Sequence, residues 1–210
     1  MASHHERADH VARRRAAAVA GHKGDTLAAR QYLADVDAHV RATALGALHR
    51  TGALDPDDLI GALADQDGAV RRRALELVAS LRGVGPATSI SIVALLGDAD
   101  PTVVEVAAWA CGECETAEPG AVERLAALAD RTAGSTDAQV REAAVAALGA
   151  IGDRAGLSAI LGATADKATV RRRAVLALAP FDGPEVDEAL QRATADRDWQ
   201  VRQAAEDLLG

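Results

Sequence analysis

Aromatic residues are scarce in this sequence of 210 residues, which contains two Trp, one Tyr and one Phe. β-Sandwiches and barrels are rich in aromatic and β-branched residues, because these side chains pack well on a pleated surface. Alanine, in contrast, makes up about a quarter of the chain, and Ala, Leu, Arg and Glu are strong helix formers. The composition therefore excludes aromatic-rich β folds and predicts closely packed helices.

The sequence also lacks features that define other protein classes. Two cysteines cannot form a disulfide framework. No apolar run approaches the roughly 20 residues that cross a bilayer, and the five small apolar residues after residues 13–15 are too few for a signal-peptide core of about 7–15 residues. Acidic residues outnumber basic ones by 31 to 23, which disfavours nucleic acid as a partner because nucleic-acid-binding surfaces are usually basic. We expect a cytoplasmic protein with no membrane partner.

One phrase, Asp-x-Asp-x-x-Val-Arg-x-x-Ala, recurs along the chain in full or weaker copies. Each copy has a Val, or once an Ala, as its anchor, and the anchors are Ala12, Val40, Val70, Val103, Val140, Val170 and Val201. Successive anchors lie 28 to 37 residues apart. This spacing is within the range of roughly 20–50 residues that is typical of solenoid repeats. The chain is therefore predicted to be a repeat protein.

The second aspartate of the phrase precedes its anchor by three residues. This position fits a helix N-cap, where a carboxylate accepts hydrogen bonds from the free amides of the first turn. The predicted caps are Asp37, Asp67, Asp100, Asp137 and Asp198. In the repeat anchored at Val170, Lys167 takes this position and Asp166 lies one residue earlier. The cap of that helix is expected to differ.

Each anchor begins a helix with one apolar face. With the anchor counted as position one and 100° per residue, positions one, five, eight and twelve lie together and are apolar, whereas positions three, seven and ten lie opposite. A second apolar segment precedes each of these helices, at residues 26–34, 56–64, 87–96, 121–129, 156–163 and 184–193. The repeat is thus a helical hairpin, and stacked hairpins form the core.

These letters resemble the HEAT repeat, in the subgroup also found in phycobiliprotein bilin lyases. Residues 140–149, Val-Arg-Glu-Ala-Ala-Val-Ala-Ala-Leu-Gly, match its pattern almost letter for letter, and the resemblance covers residues 10 to 209. It implies an all-α, right-handed α-α superhelix (a HEAT-like solenoid) of about six helical hairpins plus an N-terminal partial repeat. We expect a flexible N-terminus over residues 1–8 and a single solenoid over residues 9–210.

The resemblance also implies a ladder in which the Arg after each Val bonds the turn aspartates of its own or an adjacent repeat. The predicted ladder comprises Asp37, Arg41, Asp67, Arg71, Asp137, Arg141, Arg171, Asp198 and Arg202. Arg and carboxylate suit this role because they form paired, fork-like hydrogen bonds. Val104 replaces the arginine in the middle repeat, so the ladder is expected to break there.

Trp109 is the residue that departs most from the repeat. It lies at position seven, which the other copies fill with Gly, Ala, Leu or acidic residues. The resemblance places this position on the concave face, which commonly holds a partner. The candidate partner-binding surface consists of Arg72, Glu76, Glu105, Trp109, Glu142 and Arg172. The alternative is that the Trp109 ring packs over Gly112 or a neighbouring helix.

Other candidate sites have simpler interpretations. Cys111 and Cys114 occupy positions nine and twelve, which other copies fill with aliphatic residues or Phe, so we interpret them as core residues. His5-Glu6 is not a zinc motif, which needs two histidines four residues apart. Three Arg triplets lie in different repeats, at residues 13–15, 71–73 and 171–173. Because each packed helix layer adds about 8–10 Å of separation, the three triplets are not expected to form one patch. No nucleophile with a matching base emerges, and no cofactor or metal is expected.

The hypothesis from the sequence is a non-enzymatic scaffold, monomeric or weakly dimeric, that binds an unidentified protein through its concave face. One alternative is a chromophore lyase-like or ligand-binding protein with a cleft near Trp109. A further alternative is a HEAT-like DNA repair protein, which needs a continuous basic groove. About five extra residues enter the turn at residues 131–136, where they form either a contact loop or a tolerated insertion.

Overall fold

A computed structural model describes residues 4–81, 90–114 and 116–210, with side chains from residue 9 onward. All regular structure in these residues is helical, which confirms the all-α prediction. The chain divides into two compact units, Met1–Ile90 and Ser91–Gly210. The prediction of a single solenoid over residues 9–210 stays a prediction, as does the flexible terminus, of which residues 1–3 and the side chains of residues 4–8 lie outside the described part.

The described part of unit 1 (Met1–Ile90) contains five α-helices, which form the predicted hairpins. The helices are α1 (His4–Lys23), α2 (Thr26–Gln31, extended by a 3-10 turn at Tyr32–Ala34), α3 (Ala38–Thr51), α4 (Pro56–Leu63) and α5 (Gly68–Leu81). Helix α3 packs between α1 and α5, while α2 packs on α3 and α4 packs on α5. Helices α3 and α5, which begin at the Val anchors, are called second helices here, and α1 takes the same place at the start of the stack.

Unit 2 (Ser91–Gly210) repeats this arrangement. After a 3-10 turn (Val93–Gly97), its helices are α6 (Pro101–Gly112), α7 (Ala121–Ala129), α8 (Ala138–Ile151), α9 (Leu157–Ala163, preceded by a 3-10 turn at Arg154–Gly156), α10 (Ala168–Ala177), α11 (Pro184–Ala193) and α12 (Trp199–Leu209). The second helices α6, α8, α10 and α12 pack in that order. Most of the predicted first segment at residues 87–96 lies outside the described residues or in the 3-10 turn.

The second helices begin directly after the aspartates that were predicted to be their N-caps. The carboxylate of Asp137 accepts a hydrogen bond from the amide of Gln139 at 2.8 Å, and that of Asp198 accepts from the amide of Gln200 at 2.9 Å. Lys167 precedes α10 without a side-chain cap. Asp166 instead accepts from the amide of Lys167 at 2.6 Å, so the expected exception is confirmed.

Most of the predicted core positions are buried, but position twelve is only half-buried in the described copies. Positions one, five and eight of the second helices are buried in nearly every repeat. Positions six and nine are buried as well and contribute large side chains such as Leu45 and Leu48.

Position ten is glycine in four copies. In three of them the glycine faces an alanine at position eight of the next second helix, so the two helices approach closely. A Cβ on Gly149 would lie 2.6 Å from Cβ of Ala177, and one on Gly21 would lie 2.7 Å from Cβ of Ala47. Small residues are therefore required on both sides of the stacked helices.

Among the described residues, no helix has the length and apolar character to cross a membrane.

Candidate functional site

An arginine ladder joins successive turns within each unit. Arg141 Nε and Nη2 donate to the two carboxylate oxygens of Asp166 at 2.6 and 2.8 Å, and Nη1 donates to the carbonyl of Ser135 at 2.8 Å. Arg171 binds Asp196 in the same way, at 2.8 and 2.7 Å. These hydrogen bonds from arginine hold the pKa of Asp166 and of Asp196 below its ordinary value. The contacts tie each turn to the next repeat.

The ladder uses a different aspartate from the one predicted. Arg41 binds Asp65, the first aspartate of the next turn, at 2.7 and 2.8 Å. The predicted partners Asp37, Asp67, Asp137 and Asp198 cap their helices instead. A carboxylate that accepts from the first-turn amides faces its own helix, which leaves the first aspartate to meet the arginine of the preceding repeat.

The contacts of Arg13 at the first end of the ladder, of Arg202 at the last end and of Arg71 within unit 1 add to the predicted pattern. Arg13 of α1 forms an additional contact, since its Nε donates to Asp35 at 2.9 Å, and it also pairs with Asp9. Arg202 lies in the last repeat, and its Nη1 donates to the carbonyl of Asp196 at 2.7 Å. Arg71 donates to the carbonyl of Asp65 at 2.8 Å. Arg41, Arg141 and Arg171 thus bind a carboxylate of the following turn, whereas Arg202 binds a backbone carbonyl of its own turn. Arg13 could have been recognised from the Ala12 copy.

The ladder is interrupted at Val104, and the next turn has changed with it. Val104 is buried, and its side chain cannot donate a hydrogen bond. In the following turn Ser135 occupies the place of the first aspartate, where its hydroxyl accepts from the amide of Asp137 at 3.2 Å. Loss of the arginine is therefore matched by loss of the carboxylate, so no buried charge is left without its partner.

A cavity of about 470 Å³ lies beside this interruption in unit 2. Its apolar lining includes Leu96, Val104 and Val140, and Arg124 and Ser135 lie among its polar lining residues. The corresponding cavity beside Arg41 and Asp65 in unit 1 measures about 240 Å³. Trp109 is not among the residues that line the larger cavity, so this cavity is not the cleft that the ligand-binding alternative placed near Trp109.

The insertion at residues 131–136 forms an ordered turn after α7. Asp130 accepts hydrogen bonds from the hydroxyl and amide of Thr132, both at 2.7 Å, and from the amide of Ala133 at 3.0 Å. These bonds lower the pKa of Asp130 to about 2, the Thr132 hydroxyl having the largest effect. The amide of Ser135 donates to the carbonyl of Leu128 at 3.2 Å. The turn therefore closes back onto the end of α7.

Trp109 lies on α6 with 44% of its surface exposed. Glu105, one turn earlier on the same helix, is half-buried. On the next second helices, Glu142 pairs with Arg173 at 3.5 Å, and Arg172 is exposed. We call Glu105, Trp109, Glu142 and Arg172 the Trp109 surface. All four residues belong to unit 2 and to the exposed positions three and seven.

The two remaining predicted surface residues, Arg72 and Glu76, belong to α5 in unit 1. Glu76 is exposed and accepts from Arg73 Nη1 at 2.7 Å. Arg72 is half-buried, and its Nε atom is buried without a hydrogen-bond partner among the described residues. Glu76 is therefore engaged by a neighbouring arginine that the sequence had not placed on the surface.

Unit 1 contains a basic groove that the sequence did not predict. Eight residues from α1, α3 and α5 line this cavity of about 280 Å³: Arg14, Ala18, His39, Ala42, Thr43, Gly46, Arg50 and Arg73. None of the eight is acidic. The three Arg triplets were not expected to form one patch, and the groove contains one arginine from each of the first two triplets and none from the third. Arg14 and Arg73 line one cavity because α3, which separates their helices, has small residues between them.

The two cysteines lie at the end of α6. Cys111 is buried, and Cys114 is half-buried with its thiol donating to the carbonyl of Ala110 at 3.2 Å. Within the described part of the chain, no group of three or more His, Cys, Asp or Glu side chains could hold a metal ion. The position of Cys111 agrees with its interpretation as a replacement for a core aliphatic residue.

Comparisons with known proteins agree with the repeat. A family model of HEAT repeats matches residues 125–210. An engineered protein of known structure is similar with a TM-score of 0.64 and 22% identity, over 88% of this chain and 95% of that chain. A designed armadillo repeat protein is similar with a TM-score of 0.61 and 20% identity, over 85% of this chain and 96% of that chain. At these identities the similarity concerns the fold.

The comparison with curated proteins gives no significant match. The family match and the structural neighbours support the HEAT repeat and the all-α solenoid fold, while the bilin lyase-type subgroup stays a prediction. Solenoids of stacked repeats present extended surfaces that bind other molecules. The fold is accordingly that of an interaction scaffold.

Proposed function

We propose that this HEAT-repeat protein is a non-enzymatic scaffold that binds a protein partner through the exposed face of its second helices. Trp109 is the apolar anchor, and Glu105, Glu142 and Arg172 surround it. Arg72 and Glu76, which the sequence assigned to the same face, belong to unit 1 and are not part of the Trp109 surface on which this proposal rests. The observation that carries the proposal is the exposure of Trp109 in a chain with two tryptophans.

The exposed part of the Trp109 ring is large enough to matter for binding. A tryptophan that buries about 250 Å² when fully enclosed still has roughly 110 Å² to bury at 44% exposure. At about 25 cal/mol per Å² this area is worth roughly 2.5 kcal/mol. Tryptophan is enriched among the few interface residues whose loss costs 2 kcal/mol or more. An anchor of this size contributes measurably to an interface, although further contacts are needed to offset the cost of association.

The charges beside Trp109 suit the rim of an interface. Interfaces commonly have an apolar centre and a polar rim that remains in contact with water. Glu105 lies one turn from the ring, and the Glu142–Arg173 pair joins α8 to α10 at 3.5 Å. Exposed charges of this kind contribute more to specificity and association rate than to affinity.

The test is capture of binding proteins from the native host with three forms of the chain: wild type, Trp109→Ala and Trp199→Ala. Trp199 is the matched control, because it is the other tryptophan and is 64% exposed on α12. We expect wild type and Trp199→Ala to capture the same partner. Trp109→Ala should bind that partner about 30- to 100-fold more weakly, as a loss of roughly 2.5 kcal/mol implies.

Thermal unfolding separates binding from packing. Trp109→Ala should lower the melting temperature by a few degrees, because the buried part of the ring is lost together with the exposed part; the variant must therefore be compared as folded protein. A drop of several degrees together with undiminished capture would show that Trp109 is a packing residue, and the proposed anchor would then be wrong.

A further inference from the structure

We propose that the basic groove of unit 1 binds a phosphoryl group, with Arg14, Arg50 and Arg73 as its ligands. The site lies on α1, α3 and α5 and contains no residue of the Trp109 surface. It is therefore independent of the proposed anchor, and each can fail without the other.

The three arginines reach the groove from three helices. Arg50, at the end of α3, extends over α1, since a Cβ built on Gly21 would lie 2.9 Å from its Nη1 atom. Arg73 of α5 extends over α3 in the same way, since a Cβ on Gly46 would lie 2.9 Å from its Nη2 atom. Two glycines thus leave room for two guanidinium groups, and Arg14 of α1 also lines the groove.

The charge of the groove is not neutralised within the described part of the chain. Arg14 and Arg50 are exposed and have no carboxylate partner among the described residues. Arg73 has one, Glu76, at 2.7 Å. Four aspartates of unit 1 serve other contacts: Asp35 and Asp65 bind ladder arginines, Asp58 binds Arg30, and Asp37 caps α3. Three guanidinium groups and one carboxylate leave two positive charges at the groove.

This charge indicates the ligand. A phosphoryl monoester carries about 1.5 to 2 negative charges near neutral pH and offers three strong acceptor oxygens, so it balances the groove, whereas a single carboxylate does not. Guanidinium groups bind phosphoryl oxygens through paired hydrogen bonds. A volume of about 280 Å³ is near the lower limit of small-ligand sites, which favours a compact anion.

The distribution of charge along the chain agrees with an anion site in this unit. Residues 1–90 contain 12 Lys and Arg against 11 Asp and Glu, whereas residues 91–210 contain 11 against 20. The excess of acidic residues in the whole chain therefore belongs to unit 2. The objection that an acidic protein should not bind anions does not apply to unit 1.

The proposal is tested by titration calorimetry of the full chain at low ionic strength. The probes are inorganic pyrophosphate, a neutral peptide that contains one phosphoserine, and the same peptide without the phosphate. We expect the phosphorylated probes to bind and the unmodified peptide not to bind. Stronger binding of pyrophosphate would assign the phosphoryl group to a free small molecule, and stronger binding of the phosphopeptide would assign it to a modified protein.

Substitutions locate the site. Arg14→Gln, Arg50→Gln and Arg73→Gln should each weaken binding about tenfold, because each removes a charge-assisted contact. Arg15→Gln is the matched control: it removes the same charge from an exposed residue of α1 that does not line the groove, and it should change binding less than twofold. Glu76→Gln removes the one carboxylate and frees Arg73, so it should strengthen binding about three- to tenfold.

Two results would overturn the proposal. One is the absence of binding by both phosphorylated probes. The other is equal weakening by Arg15→Gln and the three groove variants, which would indicate attraction by overall charge alone. The three arginines lie at the surface, and unchanged circular dichroism and melting temperature of the variants confirm that binding is compared in folded protein.

Discussion

Replacement of Arg141 by Val should lower the free energy of unfolding by about 3–5 kcal/mol, because it leaves a buried carboxylate without its cation. The side chain of Arg141 is 5% exposed and that of Asp166 is 1% exposed. Their two hydrogen bonds measure 2.6 and 2.8 Å. After the substitution, the described donor that remains to Asp166 is the amide of Lys167.

The chain itself contains the compensated form of this change, at Val104 and Ser135. The double variant Arg141→Val/Asp166→Ser copies that pair, since both the charge and its partner are removed. We expect it to lose less stability than the two single variants summed, by roughly 1–3 kcal/mol, which is typical of residues in direct contact. Arg154→Val is the exposed control, and it should cost about 1 kcal/mol or less because the side chains of Arg154 and its partner Glu185 are 61% and 41% exposed.

Urea unfolding followed by far-ultraviolet circular dichroism measures these differences. In a thermal scan, 3–5 kcal/mol corresponds to a fall of roughly 6–20 °C for a chain of this length. The reasoning is refuted if Arg141→Val costs less than about 1 kcal/mol, or if the double variant loses the full sum of the singles. Either result would mean that the ladder arginine and aspartate do not depend on one another.

Two further predictions concern acid stability and helix packing. Because Arg141 lowers the pKa of Asp166, their pair should stabilise the fold fully above the ordinary carboxyl range and lose this contribution as pH falls below about 4. Circular dichroism measured from about pH 6 to 2 should therefore show a shallower acid transition for Arg141→Val/Asp166→Ser than for wild type. Acid transitions of identical slope in the two proteins would contradict this prediction. Gly149→Ala should lower the free energy of unfolding by about 1–3 kcal/mol, because the new Cβ would lie 2.7 Å from Cα of Ala177. Gly61→Ala is the control: the new Cβ has open space around it, so the free energy of unfolding should stay the same or rise by about 0.5–1 kcal/mol. Urea midpoints that move in the same direction for both variants would refute the packing argument.

The sequence was sufficient for features that depend on residues close along the chain. The N-cap at Asp137 needs an amide two residues later, and the burial of Ala144 and Ala147 follows from the helical period. The position of Cys111 in the core followed from the same count. Repetition strengthened each of these predictions, because one pattern had to fit six copies.

Contacts between repeats were harder to predict. The ladder joins residues that lie 22 to 25 positions apart, and both aspartates of the phrase were possible partners. The choice depends on which carboxylate the helix amides have already engaged. Val104 and Ser135 lie far apart in the sequence but line the same cavity, which explains why the two positions differ together from the other repeats.

The sequence by itself therefore determined the helical repeat, the helix starts, the small-residue core and the identity of Trp109 as an exception, because these follow from local hydrogen bonds and from periodicity. The tertiary structure alone decided which charged side chains meet. Arg14, Arg50 and Arg73 come from three helices and share one groove, a result that spacing between helix layers argued against. Long arginine side chains span a helix whose facing residues are small, and that reach depends on the packing of helices distant in the sequence.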